Sequence, residues 1–345
     1  MTYTLIEPDL GRTSGGLRFN SELAAAAEGR IERITGPGTW PEPSDEDVAR
    51  LRQLVARCQE AGDAAAGRDR PVLIDGLIGC SLPTPLQGPI VMLQHSLAQT
   101  PAAARREADC LRSASAVVTT SAFAAAEVAR KYGITAEVAL PGTHPRPVTQ
   151  PGSPAHLICL AAMEDNKNQL FLAHVFQELR RRGITDWRCT LAGPITDIDY
   201  AADVCDALGG LSSVDCVGEL DGAAVDELYR HADLLLLPSK AETFGMVVRE
   251  AAAAAIPSLV SAGTGAQEAL VAGHVLELDV PTWADALERW MRHATYRTEL
   301  AARRSKLGNP LCTGGTRRRA PCSPSWRASH ERRRTGLAGS AGALR

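Results

Sequence analysis

Along this 345-residue chain, short aliphatic and β-branched runs alternate with Ala-rich amphipathic stretches, and the alternation stops once and restarts. No other feature limits the fold so strongly, because repeated strand–helix alternation means parallel sheets joined by crossover helices, an α/β architecture. In the first half strands are expected over residues 4–6, 31–34, 72–74, 90–93, 116–119 and 137–140, with helices over 45–61, 101–113 and 121–131. A Pro-rich stretch without apolar period follows and reads as an interdomain linker. Alternation resumes with strands over 157–161, 189–192, 213–217, 233–237, 258–261 and 274–278, and helices over 168–182, 200–208, 222–231, 245–255 and 282–303. The expected organisation is a first α/β domain over residues 1–140, the linker over 141–154 and a second α/β domain over 155–306. Open parallel sheets take ligands at the carboxyl ends of their strands, so two of them place a cleft between such ends.

The periodicity is lost near Lys306. Residues 301–345 hold eleven basic residues against the single acid Glu331, while the whole chain carries a net charge of only −3. The stretch 307–345 reads as a disordered tail or a frame artefact; a basic arm for nucleic acid or anionic lipid is the weaker alternative. The small net charge excludes a generally basic nucleic-acid binder, and no apolar run reaches the ~20 residues that span a bilayer. Peripheral membrane contact is left open. The first ten residues lack the basic and apolar regions of a signal peptide. Nine cysteines occur without a single C-x-x-C pair, which points to reduced thiols and a cytoplasmic protein rather than to a zinc site.

The segment that carries chemistry runs from Pro238 to Ala251. A buried strand ends in Pro238 and a helix is expected to begin near Phe244 or Gly245. Its first backbone N–H groups lack partners and favour an anionic or hydroxyl-rich ligand, and Gly245 lets such a ligand come close. Glu242 precedes the helix and Glu250 lies inside it, so the two carboxylates serve different parts of one elongated ligand. Each is an acceptor suited to vicinal hydroxyls.

With its flanks, this segment resembles the E-x7-E motif of retaining GT-B glycosyltransferases, in particular glycosyltransferase family 4. Gly218-Glu219-Leu220, Leu228-Tyr229, Ala232-Asp233 and Leu237-Pro238-Ser239 follow the order of that family's donor domain, and Thr264-Gly265-Ala266-Gln267-Glu268 is similar to its G-G-x-x-E loop, with Thr264 in place of the first glycine. The resemblance implies a GT-B fold of two Rossmann-like domains, with Glu242 on the donor sugar and Glu250 on the nucleotide ribose. It puts the backbone of Phe244, Gly245 and Met246 beside sugar and diphosphate. It also implies diphosphate contacts from Lys167, where Ala162 stands in place of the family's arginine, and from the Gly15–Gly16 loop, with Arg18 as an accessory cation. His95, at the end of a strand, is implied near the transferred sugar; Asp75, at another strand end, has a turn-forming role as an equal reading. Asn166 or Asn168 is expected to make up part of the missing charge at Ala162.

The implied reaction is transfer of a sugar from a nucleotide-sugar donor to an acceptor that these residues do not name. It needs no cofactor, and the resemblance implies no metal, consistent with the lack of a metal-binding D-x-D arrangement within the family frame. His95, Glu242 and Lys167 are the residues implied nearest the chemistry. Two alternatives remain at this level: a donor-binding homologue with impaired catalysis, suggested by Ala162 and the aberrant C-terminus, and another GT-B activity such as a nucleotide-sugar epimerase.

Overall fold

The computed structural model describes residues 2–60, 70–150 and 152–302; the expected tail 307–345, with Cys312 and Cys322, lies outside them. The first half of the chain builds six strands, β1 (Tyr3–Pro8), β2 (Ile31–Gly36), β3 (Val72–Asp75), β4 (Ile90–Gln94), β5 (Ala116–Thr119) and β6 (Glu137–Val138). They form one parallel sheet in the order β2-β1-β3-β4-β5-β6. Five helices interleave with them: α1 (Gly15–Ala26), α2 (Asp45–Glu60), α3 (Gly76–Gly79), α4 (Pro101–Ser113) and α5 (Ala122–Tyr132). Their starts follow local chemistry. Ser14, Asp75, Thr100 and Ser121 cap α1, α3, α4 and α5 by accepting backbone N–H bonds, and Pro101 occupies the first turn of α4, where no N–H is needed. Gly133, at φ 68°, ends α5.

The second half repeats the plan. Strands β7 (Ala155–Leu160), β8 (Trp187–Ala192), β9 (Val214–Gly218), β10 (Leu234–Leu237), β11 (Ser258–Ser261) and β12 (Gly273–Leu276) make a parallel sheet in the order β12-β11-β10-β7-β8-β9. The helices are α6 (Gln169–Arg181), α7 (Ile198–Ala207), α8 (Gly222–His231), α9 (Met246–Ala253), α10 (Ala266–Ala269), α11 (Val280–Arg292) and α12 (Ala294–Ala302). The single helix expected over 282–303 is thus two, broken at His293, whose backbone is extended. The four leucines of β10 show why this sheet is covered on both sides: Leu234 and Leu236 join one core cluster, Leu235 and Leu237 the other. A strand's side chains alternate between faces, so an unbroken apolar run means two buried faces.

Both sheets reverse direction beside a central strand. In the first, the chain leaves β1 outward to β2 and returns on the other side at β3; in the second it leaves β7 to β8 and β9 and returns at β10. The loops after β1 and β3, and after β7 and β10, therefore diverge and leave a crevice at each carboxyl edge. The Pro-rich stretch between the sheets is extended but held down. Thr149 and Gln150 donate backbone N–H bonds to the carbonyls of Ala254 and Arg230, and the Thr149 hydroxyl reaches the carbonyl of Ala232 at 2.6 Å. The cysteines among the described residues are free thiols.

Candidate active site

The two crevices face each other across a cleft of about 390 Å³. One wall holds Arg12, Thr13, Gly15, Gly16, Asp75 and His95; the other holds Ala162, Glu164, Lys167, Glu242, Gly245 and Met246. Gly15 and the start of α9 meet across this space, since a Cβ on Gly15 would stand 3.8 Å from the Met246 sulfur. Gly16 is constrained differently: a Cβ there would come within 3.0 Å of the His95 ring.

Gly245 has φ 81° and stands at the N-cap position of α9 without a side-chain cap. A left-handed turn is what lets β10 run into α9 so abruptly, and it leaves the first N–H groups of the helix without a side-chain partner. The helix begins at Met246. Phe244 is 2% exposed, its ring packed in the core behind the cleft.

Glu242 and Glu250 lie at the two ends of this turn, and each is held by cations. The Glu242 carboxylate accepts hydrogen bonds from the Lys167 ammonium at 2.7 Å and the Ser239 hydroxyl at 2.9 Å. Burial pulls the Lys167 ammonium toward neutrality, but the adjacent Glu242 charge and hydrogen bond outweigh it and hold the lysine above its ordinary range. Glu250 is 5% exposed. It accepts from Arg18 at 2.6 Å and the Tyr229 hydroxyl at 3.1 Å, with Arg146 at 3.4 Å. The Arg146 guanidinium also covers the Tyr229 ring at 4.6 Å. Burial, and next the Glu250 charge, push the Tyr229 hydroxyl well above its ordinary value, so it stays a donor.

His95 sits on a relay from the first sheet. Its Nε2 lies 2.9 Å from the Asn20 side-chain oxygen, and the Asn20 amide donates to Asp75 at 3.0 Å. Asp75 also caps α3 through the Leu77 N–H, as its turn reading expects, and lines the cleft. With the Asn20 oxygen as acceptor, the imidazole carries its proton on Nε2 and leaves Nδ1 as a buried lone pair without a partner. Burial lowers the His95 pKa, the Asp75 charge opposing it less, so the ring is neutral.

Two expectations are corrected. Asn166 does not turn to the cleft: its amide donates to the Ala241 carbonyl and its oxygen accepts the Ala241 N–H. Asn168 donates to the Pro238 carbonyl. Both stitch the loop after β7 to the loop after β10, so neither replaces the charge missing at Ala162. Among the charged residues lining the cleft, the cation without a carboxylate partner among the described residues is instead Arg12. Asn20, Arg146 and Tyr229 also belong to the site. Tyr229 stands in the Leu228-Tyr229 pair that the sequence resemblance quotes, whereas the partners of Asn20 and Arg146 lie far away in sequence and no local pattern marks those two.

The lobes also touch through Thr243 and Glu268. The Thr243 hydroxyl donates to the His95 carbonyl at 2.6 Å, its own carbonyl accepts from the Ser121 hydroxyl, and the Glu268 carboxylate accepts from Ala122 and Phe123 N–H at the start of α5. Thr264, where a glycine was expected, is buried and bonds the Ser261 carbonyl.

Two facing parallel sheets, each opening a switch-point crevice onto one cleft, make this a protein of the GT-B fold. Residues 154–293 match the family model for glycosyl transferases group 1. That segment, less than half of the chain, is similar to the group 1 glycosyltransferases. An uncharacterized glycosyltransferase of Methanocaldococcus jannaschii is 37% identical over 81 residues, 24% of this chain and 21% of that one. A D-inositol 3-phosphate glycosyltransferase of an Arthrobacter species is 25% identical over 262 residues, 62% of this chain and 59% of that one. The chain thus spans less than two thirds of the length of these curated relatives. Among solved structures, sucrose-phosphate synthase from Thermosynechococcus elongatus superposes with a TM-score of 0.68 at 18% identity, covering 98% of this chain and 100% of that one. Anabaena HepE in complex with UDP-glucose gives 0.64 at 15% identity, covering 88% and 93%. At such identities the likeness shows the fold. No helix among the described residues is long and apolar enough to cross a membrane.

Proposed function

We propose that the chain is a glycosyltransferase that moves a sugar from a nucleotide-sugar donor to an acceptor, with retention of configuration and without a metal. One observation carries this reading: Glu242, Lys167 and a glycine-opened helix start face a Gly–Gly loop across one cleft, with Glu250 buried inside the same helix and bonded to Arg18 of the facing lobe. Glu242 takes hydroxyls of the sugar and Glu250 the ribose diol. The departing diphosphate lies between them, against the uncapped N–H groups of α9, Lys167 and Arg12. Helix-start N–H groups and fixed cations stabilise developing negative charge without reorganising. The UDP-glucose complex of HepE, a protein of the same fold, supports a nucleotide sugar as donor.

The test is a thermal-shift screen with UDP, GDP and ADP, followed by donor hydrolysis and determination of the anomer formed. A nucleoside diphosphate at a hundred times its Kd stabilises the fold by about 2.7 kcal/mol. A wild type that none of the three shifts refutes the reading.

Ala162 in the cleft wall favours one second reading, a protein that binds the donor without transferring it. A sensitive hydrolysis assay separates the two. Ala162→Arg is expected to bind nucleoside diphosphate about tenfold more tightly by calorimetry, since a charge-assisted hydrogen bond contributes about 1.5–3 kcal/mol; unchanged affinity would remove residue 162 from the diphosphate site.

A further inference from the structure

Glu250 can hold a ribose only after another group lets go of it. Among the described residues it does not line the cleft, whereas Met246, one turn before it on α9, does. Both of its carboxylate oxygens are occupied. Oε2 accepts from the Tyr229 hydroxyl at 3.1 Å and lies 3.4 Å from Arg146. Oε1 is held by Arg18, at 2.6 Å. A diol that reaches this acid has to take Oε1 from that arginine.

The three partners differ in how easily they leave. Tyr229 is buried, and the Arg146 side chain, only 11% exposed, is also paired with Asp226 and laid over the Tyr229 ring. The Arg18 side chain is 37% exposed, and among the described residues Glu250 is its one carboxylate partner. It belongs to the facing lobe and stands one turn along α1 from Gly15, which lines the cleft. Released from Glu250, its guanidinium hangs on the turn that carries the Gly–Gly loop, the side on which the diphosphate is placed.

The exchange at Oε1 is uneven. A guanidinium–carboxylate bond is charge-assisted at both ends, and a neutral ribose hydroxyl replaces it poorly. A nucleoside therefore gains little here and leaves Arg18 in water. A nucleoside diphosphate offers the freed guanidinium an anionic partner in return. A ligand shifts such an arrangement only by what it binds better in the opened state, so diol and diphosphate open it together.

We propose that Arg18 is a specificity-determining residue that keeps Glu250 shut against ligands with a ribose but no diphosphate. The proposal rests on the glycosyltransferase reading, in which Glu250 takes the ribose diol. An accessory cation that merely attracted phosphate would leave nucleoside binding untouched; this arginine opposes it.

Whichever of UDP, GDP and ADP the full-length wild type binds serves as reporter, and competition calorimetry against it gives the Kd of its own nucleoside. Arg18→Met and Arg18→Gln are both prepared, and the comparison is read on each variant that unfolds cooperatively. Loss of Arg18 should tighten the nucleoside about fivefold without tightening the diphosphate, so that the preference for diphosphate over nucleoside shrinks about tenfold. An unchanged nucleoside Kd would make Arg18 a plain phosphate contact and overturn the proposal. Weaker binding of both ligands, equal tightening of both, or a nucleoside that binds neither wild type nor variant would overturn it too, with diphosphate binding by the wild type intact. A wild type that binds no nucleoside diphosphate would remove the glycosyltransferase reading and this one with it.

Discussion

Glu250 shows what a single buried acid between the lobes has to satisfy. It is buried, so its charge requires partners, and it has three: Arg18 from the other lobe, Tyr229, and Arg146 from the extended stretch between the sheets. Glu242 and Gly245 were legible in the sequence because a strand end, a glycine and a helix start are local signals. Arg18 is 232 residues from Glu250 and Arg146 is 104, and nothing short-range announces such a meeting. The same holds for Arg12, whose importance comes from the neutralisation of the other cations around it. Arg12→Ala is expected to weaken UDP binding about tenfold by calorimetry while leaving uridine, which has no phosphates, unaffected. Equal losses for both ligands would mean the arginine acts on the fold. At Gly245, φ is 81° and a Cβ would press to 3.3 Å against Leu237. Gly245→Ala should therefore cost about 1–2 kcal/mol in denaturant unfolding.

At the scale of elements, the strands were read closely: the run over 116–119 and the run over 258–261 are β5 and β11 without adjustment. Helix ends were less legible where caps decide them. The long C-terminal helix broke at His293, and the four-residue helices α3 and α10 carry too few residues to show a period. β7 contains a pH-sensitive member that its apolar surroundings hid. His156 is buried, its Nε2 2.9 Å from the Thr190 hydroxyl and its Nδ1 3.2 Å from the His231 carbonyl. Burial, helped by the Arg188 charge, lowers its pKa to about 4. The unfolded chain, with an ordinary value of 6.5, takes up the proton first as pH falls, so stability drops between roughly pH 6.5 and 4 and levels below. A shift of this size corresponds to a loss of about 3 kcal/mol. Urea midpoints measured across that range should fall accordingly, and His156→Gln should flatten the curve.

Across the whole molecule, the lobes are joined by few but specific bonds. Glu268 reaches over to satisfy two N–H groups at the start of α5, a cap supplied from the opposite lobe. Glu268→Ala removes both bonds at once. It should enlarge the radius of gyration measured by small-angle scattering in the absence of ligand, and saturating nucleotide should bring it back. An unaltered radius would show that the remaining bridges suffice. Thr243 makes the most economical of those bridges, one residue binding a strand end and a helix start of the first lobe through its hydroxyl and its carbonyl. Because it directly follows Glu242, this bridge ties the acid proposed to hold the sugar to the opposite wall. A small molecule lodged under that hydroxyl is expected to part the two lobes at this point.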